Sequence, residues 1–156
     1  MTDLLNTHAS DFSLQDQEGT SHTLAQYRGQ YVLLYFYPKD MTPGCTTEAC
    51  TFRDALNDLK AAGVQVLGVS ADDVASHKKF AQKYHLNFPL LADTEKKLIE
   101  AYGLWKKKSL FGRTFLGILR ESFLIDPQGV IVRHYEKVEP ETHPAQVLAD
   151  VKILKK

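Results

Sequence analysis

Apolar residues along this chain fall in two kinds of run, short unbroken ones and longer ones spaced by three or four. Tyr31–Tyr37 (YVLLYFY) is an unbroken aliphatic and aromatic run. Its length suits a strand buried on both faces, as in a parallel sheet, and Pro38 ends it. After the turn-rich KDMTPG, residues from about Thr46 to Ala62 place Ala49, Phe52, Leu56 and Leu59 on one helical face, with Gly63 as the C-cap. Val64–Ser70 (VQVLGVS) predicts a second strand, and Val74–Tyr84, with Val74, His77, Phe80 and Tyr84 in phase, a second helix. A short apolar piece, Phe88–Leu91, and a helix over Glu95–Tyr102 ending at Gly103 follow. Ser122–Ile125 and Val130–Tyr135, joined by Asp126-Pro127-Gln128-Gly129, predict a β-hairpin, and His143–Leu154 a last helix.

With no internal repeat, low-complexity block or linker, residues 1–156 read as one domain. Strand, helix, strand, helix, then hairpin and helix is the order of a thioredoxin-like α/β fold, a three-layer sandwich on a mixed sheet. Here it carries an N-terminal extension and an insertion, about Phe88 to Leu119, before the C-terminal hairpin. Within that insertion Lys106-Lys107-Lys108 reads as a solvated loop. Leu110–Leu119 (LFGRTFLGIL) reads as a loop from its glycines but is more apolar than a solvated loop requires. It either packs on the sheet, roofs a site or meets a partner. An α/β sheet presents ligands beyond the carboxyl ends of its strands, and the loop after the first long strand holds Cys45.

Composition narrows the function classes. A chain of 156 residues, 44% hydrophobic and 24% charged, builds its own core without metal or disulfide staples. Nineteen Lys plus Arg against nineteen Asp plus Glu leave zero formal charge, so nothing favours nucleic acid or an anionic membrane. The absence of a spanning apolar run, and of a basic and apolar leader in MTDLLNTHASDF, predicts a cytoplasmic protein. The six histidines, His8, His22, His77, His85, His134 and His143, are scattered without ligand spacing and read as surface or hydrogen-bonded core groups.

The two cysteines then need a chemical explanation, since a cytosolic chain of this size needs no staple. Cys45 falls at or beside the first residue of the predicted helix, where unpaired N–H groups and the helix dipole favour the nucleophilic thiolate. The alternative for a lone cysteine is a small buried hydrophobe. Cys50 lies five positions on, which is neither the C-x-x-C spacing of a dithiol site nor part of a zinc site. On an intact helix, residues i and i+5 have Cα atoms ~8.6 Å apart. A disulfide needs less than roughly 7 Å. A Cys45–Cys50 bond therefore requires the first turn to unwind. A thiolate with a second thiol reachable only after such a change suits peroxide reduction: Cys45 becomes a sulfenic acid and Cys50 condenses with it.

The string YFYPKDMTPGCTTEAC, with Pro38, Thr42 and Cys45 as P-x-x-x-T-x-x-C, resembles the active-site motif of the peroxiredoxins, most nearly the bacterioferritin comigratory protein or PrxQ-type subfamily. FSLQDQEG, VLGVSADD and RESFLIDPQG extend the likeness over nearly the whole chain; Ala9-Ser10-Asp11-Phe12 stands where many relatives have Ala-Pro-x-Phe. The resemblance implies roles residue by residue. Cys45 would be the peroxidatic and Cys50 the resolving cysteine. The Thr42 hydroxyl would bond the thiolate or a peroxide oxygen, against the alternative of a plain turn hydroxyl. Pro38 would shield the thiolate from water, and Arg120 would stabilise the thiolate and the leaving oxygen. Glu48 would either cap the helix or hold Arg120. The implied protein is a monomeric or weakly associating thiol peroxidase for hydrogen peroxide and organic hydroperoxides, with no bound cofactor or metal, recycled by thioredoxin or a similar dithiol protein. Two other classes stay open: a thioredoxin-like disulfide reductase, and a non-catalytic redox-sensing or binding module.

Overall fold

The structure is a computed structural model and describes residues 3–156, the side chain of residue 110 aside. Its elements in chain order are β1 (Ser13–Gln15), β2 (Ser21–Thr23), β3 (Tyr31–Phe36), α1 (Pro43–Ala61), β4 (Val64–Ser70), α2 (Val74–Tyr84), β5 (Leu90–Ala92), α3 (Lys97–Ala101), β6 (Trp105–Leu110), β7 (Arg113–Ile118), β8 (Glu121–Ile125), β9 (Ile131–Tyr135) and α4 (His143–Leu154). Five strands make one mixed sheet in the order β5-β4-β3-β8-β9. β4 runs parallel to β3 and β5, while β8 is antiparallel to both β3 and β9.

The apolar run over Tyr31–Tyr37 becomes the central strand because both of its faces are covered. Leu33, Tyr35 and Tyr37 point into one core with Phe52, Leu56 and Leu59 of α1, Phe80 of α2 and Val147 of α4. Val32, Leu34 and Phe36 point into a second core with Leu98, Ile99 and Tyr102. Alternation of side chains along each strand produces the two cores and hence the three layers.

The expected helices appear with shifted ends. α1 begins at Pro43 rather than near Thr46, with Thr42 as its N-cap. Proline has no N–H to lose at a first helical position, so Pro43-Gly44 opens the helix where the sequence suggested a turn. α3 is shorter than the expected Glu95–Tyr102. It starts after Lys96, which takes a left-handed conformation, and the Asp93 carboxylate accepts from the Ile99 N–H.

The insertion departs further from expectation. Residues 105–118 form a two-stranded antiparallel hairpin, β6–β7, in place of the loops assigned to Lys106-Lys107-Lys108 and Leu110–Leu119. Its two-residue turn is Phe111-Gly112, both at positive φ (53° and 77°). That is the backbone of a hairpin turn normally signalled by Asn-Gly or Asp-Gly, which is why the pattern was hidden. Ile118 is buried in the second core, whereas Phe111, Phe115 and Leu116 are exposed. The Leu110 side chain lies outside the described residues. Ahead of the sheet, the Asp11 carboxylate accepts from the N–H groups of Phe12 and Leu24, closing the entry turn without a proline.

Candidate active site

Strand β3 and helix α1 set the site between them. Tyr37 extends the β3–β4 pairing through its N–H to the Val69 carbonyl at 3.0 Å, and the chain then turns over residues 38–42. Pro38 is half-buried at the start of that turn. The turn is pinned by Asp40, which is buried. Its carboxylate accepts from the Tyr37 hydroxyl (2.6 Å) and the Ser76 hydroxyl (2.8 Å), and it meets His77 Nδ1 at 2.7 Å. Its N–H is held by Asp72 at 2.8 Å. The His77 Nε2–H donates to the Leu91 carbonyl, and His22 and His143 are likewise buried with partners on both ring nitrogens. Asp40, Asp72 and His77 are the one metal-ligand grouping among the described residues, and their ligand atoms are already engaged in these hydrogen bonds.

Beyond this anchor Met41 takes φ 69°, and Thr42 begins the helix. The Thr42 hydroxyl donates to the Lys39 carbonyl at 2.8 Å and closes the turn, so its proton is used and its oxygen remains an acceptor. The first backbone bond of α1 runs from the Thr46 N–H to the Thr42 carbonyl. The N–H groups of Gly44 and Cys45 therefore lie ahead of the helical ladder, as first-turn donors.

Cys45 is the third residue of the helix and only 1% exposed. The burial expected of a small hydrophobe and the helix-start position expected of a thiolate occur at one residue. Arg120, in the two-residue link between β7 and β8, supplies the polar contact. Its Nη2 donates to the Cys45 sulfur at 3.1 Å and its Nη1 to Glu48 Oε1 at 2.7 Å. Glu48 is fully buried six residues into the helix, so of its two expected roles it takes that of holding Arg120. Burial pushes its carboxyl up to about 7 against the pull of the Arg120 guanidinium. Cys50, half-buried on the same unbroken helix, is a free thiol like Cys45.

Two functional neighbours escaped the sequence reading. A Cβ on Gly44 would lie 3.1 Å from Arg120 Nη2, so the glycine is what lets the guanidinium reach the sulfur. The Tyr35 ring lies against Gly68, and its buried hydroxyl has no hydrogen-bond partner among the described residues; burial pushes it well above the ordinary tyrosine value. Tyr35 was legible only as a strand residue, although it sits two positions from Tyr37 on the same face.

The raised Glu48 carboxyl carries a stability prediction. Between its unfolded value of 4.5 and its folded value of about 7 the native state holds more protons than the unfolded chain. Stability therefore falls as pH rises through that window. Glu48→Gln keeps an oxygen for Arg120 and removes the titration. Denaturant unfolding at several pH values should lose a fall in stability of about 3 kcal/mol across the window. An unchanged pH profile in Glu48→Gln would contradict the assignment.

A sandwich of this topology that offers a cysteine sulfur and a guanidinium at a helix start defines a thiol-dependent oxidoreductase. The AhpC/TSA family model matches residues 5–134, and the chain belongs to that family. Within it the chain is 44% identical over 152 residues to Peroxiredoxin Bcp of Bacillus subtilis, covering 97% of each. It is 47% identical over 140 residues to Peroxiredoxin Bcp of Escherichia coli K12, covering 90% of each. Among solved structures it superposes on the bacterioferritin comigratory protein of Xanthomonas campestris, studied for alkyl peroxide reduction, with TM-score 0.87 and 40% identity over 93% of this chain and 92% of that one. A cysteine-to-serine mutant of PrxQ from Xylella fastidiosa gives TM-score 0.90 at 33% identity over 99% and 100%. The chain is a thiol peroxidase of this family, and Cys45 and Cys50 fit its atypical two-cysteine form.

Proposed function

We propose that Cys45 is the peroxidatic cysteine and that Arg120, Thr42, Pro38 and Glu48 build its site, with hydrogen peroxide and organic hydroperoxides as substrates. The contact that carries this reading is Arg120 Nη2 to Cys45 Sγ at 3.1 Å, at the first turn of α1. A guanidinium donating to sulfur stabilises the thiolate, and the dipole of a 19-residue helix adds to it. The thiolate attacks the terminal, hydroxyl-bearing oxygen of ROOH. The O–O bond breaks, its electron pair leaves on RO⁻, and Cys45 becomes a sulfenic acid; RO⁻ then takes a proton from solvent. The Thr42 oxygen, its own proton committed to Lys39, accepts from the attacked O–H. The Gly44 and Cys45 N–H groups and Arg120 meet the developing charge. Pro38, half-buried, keeps water from the sulfur.

Cys50 resolves the sulfenic acid, releasing water and forming a Cys45–Cys50 disulfide. Both residues sit on intact α1, ~8.6 Å apart by helix geometry, beyond disulfide reach. Unwinding of the first turn brings them together. Met41 marks where it starts, because Asp40 is fixed by four hydrogen-bond contacts while the next residue is exposed and already at positive φ. A dithiol reductant, thioredoxin in the simplest case, regenerates the pair by exchange. The enzyme acts as a cytoplasmic monomer with neither nucleic-acid nor membrane partner; no helix among the described residues is long and apolar enough to cross a membrane.

One equivalent of hydrogen peroxide should lower the protein mass by two hydrogens, reversed by thioredoxin, and increase amide exchange in residues 43–50. Equal protection of those amides in both redox states would exclude the unwinding. Faster reduction of insulin disulfide than of peroxide would favour a disulfide reductase. Trapping a mixed disulfide with a protein other than a thioredoxin-like reductant would favour a redox sensor.

A further inference from the structure

The loop that carries Cys45 hangs from a buried polar cluster that no step of the reaction above uses. Its centre is Asp40, whose side chain is 2% exposed, against His77, at 0%. Ser76 and His77 lie in the first turn of α2, and Tyr37 directly follows β3. One carboxylate thus ties the loop back to the central strand and across to a helix 36 and 37 residues on. The proton count makes the tie firm. A carbonyl only accepts, so His77 Nε2, 3.0 Å from the Leu91 oxygen, carries a hydrogen. A neutral ring would then turn a bare Nδ1 toward Asp40 Oδ2 at 2.7 Å, acceptor against acceptor. A second proton therefore lies in that contact, and the low dielectric of the interior strengthens the bond.

Chain length carries this fixation to the sulfur. Only Met41 and Thr42 separate Asp40 from Pro43, the first residue of α1. While α1 is wound, fixing Asp40 fixes the first turn and with it the sulfur that Arg120 reaches at 3.1 Å. The Thr42 hydroxyl bond to the Lys39 carbonyl and the Thr46 N–H bond to the Thr42 carbonyl continue the line from cluster to helix. Once residues 43–50 uncoil, the same two residues lead into flexible chain, and Asp40 no longer sets where Cys45 lies. The cluster therefore favours the wound state over the unwound one, and only such a difference shifts an equilibrium between two states.

We propose that Asp40, with Tyr37, Ser76 and His77, is the clamp that positions the peroxidatic turn and sets how long Cys45 stays wound before Cys50 reaches it. This rests on the reading of Cys45 as the nucleophile and Cys50 as its resolving partner. The four are positioning residues. They act through the placement of the helix start, not on the reacting atoms, and they set the balance between attack on peroxide and closure of the disulfide.

The test separates those two steps. Ser76→Ala and Tyr37→Phe each remove one donor to Asp40, Ser76→Thr keeps the hydroxyl, and Asp40→Ala removes the clamp. After one equivalent of hydrogen peroxide, loss of the Cys45 thiol and formation of the Cys45–Cys50 disulfide are timed by quenching and mass. Loss of one hydrogen bond moves the balance toward the unwound state about fivefold. With the wound state in the majority, attack in Ser76→Ala and Tyr37→Phe should stay within about twofold of the parent. Closure, which passes through the minority state, should become about fivefold faster. In reduced Ser76→Ala, amides 43–48 should exchange faster by the same factor, with those of 52–59 unchanged. Ser76→Thr should return both readouts to parental values, and Asp40→Ala should slow attack as well. A general loosening of the fold would slow both steps instead. Closure no faster than parental in Ser76→Ala and Tyr37→Phe overturns this proposal alone. A parent that consumes no peroxide, or consumes it without forming the disulfide, overturns the assignment of Cys45 or of Cys50 and this proposal with it.

Discussion

Cys45→Ser is expected to abolish peroxide consumption, by on the order of 10³-fold or more. A serine hydroxyl at this position keeps the size and the helix-start setting but does not ionise near neutral pH. The guanidinium 3.1 Å away then has no anion to stabilise. Folding should survive, because Cys45 is a small buried residue and the substitution is nearly isosteric. Cys50→Ser should behave differently. Its Cys45 still attacks the first equivalent of peroxide and yields a sulfenic acid that a dimedone-type reagent traps, but no intramolecular disulfide forms and thioredoxin restores nothing. Further peroxide then drives Cys45 to sulfinic acid. Sustained turnover with thioredoxin in Cys45→Ser would reject the peroxidatic assignment, and sustained turnover in Cys50→Ser would reject the resolving one.

Arg120→Met is expected to lower kcat/KM for hydrogen peroxide by about 10²–10³-fold, the usual cost of losing a charged donor aimed at developing negative charge. Methionine keeps much of the apolar stem and removes the fork. Lysine should not rescue fully, because one ammonium cannot donate along the two directions that Arg120 uses toward Glu48 and Cys45. A second consequence follows at Glu48. Its Oε1 loses its partner and its Oε2 already has none, leaving a buried carboxyl with no hydrogen bond. Near neutral pH Arg120→Met should therefore be destabilised as well as slow. Adding Glu48→Gln should recover stability, since an amide carries no charge to bury, without recovering the rate. A single variant that keeps more than a third of the parental rate would reduce Arg120 to a structural clamp for Glu48.

The amino-acid sequence by itself determined the order of the central-sheet strands and the main helices, and it set two cysteines five residues apart near a helix start. Tyr31–Tyr37, Val64–Ser70 and the 122–135 hairpin were readable because strand burial leaves an unbroken or alternating apolar run. α1 was readable from Ala49, Phe52, Leu56 and Leu59 at helical spacing. The five-residue gap between Cys45 and Cys50 set the distance between them once a helix was granted, because helix geometry is local. What stayed hidden depended on contacts between segments distant in sequence. Arg120 lies 75 residues from Cys45, and no local pattern shows that its fork reaches both the sulfur and Glu48. The choice between capping and salt-bridging at Glu48 was decided by which charge the sheet brings over the helix. The Phe111-Gly112 turn escaped because its phenylalanine carries no turn signature, and with it went the β6–β7 ribbon. The Asp40–His77 anchor was invisible for the same reason, joining a loop to a helix 37 residues away. Local periodicity follows from backbone geometry that each residue carries with it, whereas the pairing of buried charges exists only after the layers have packed.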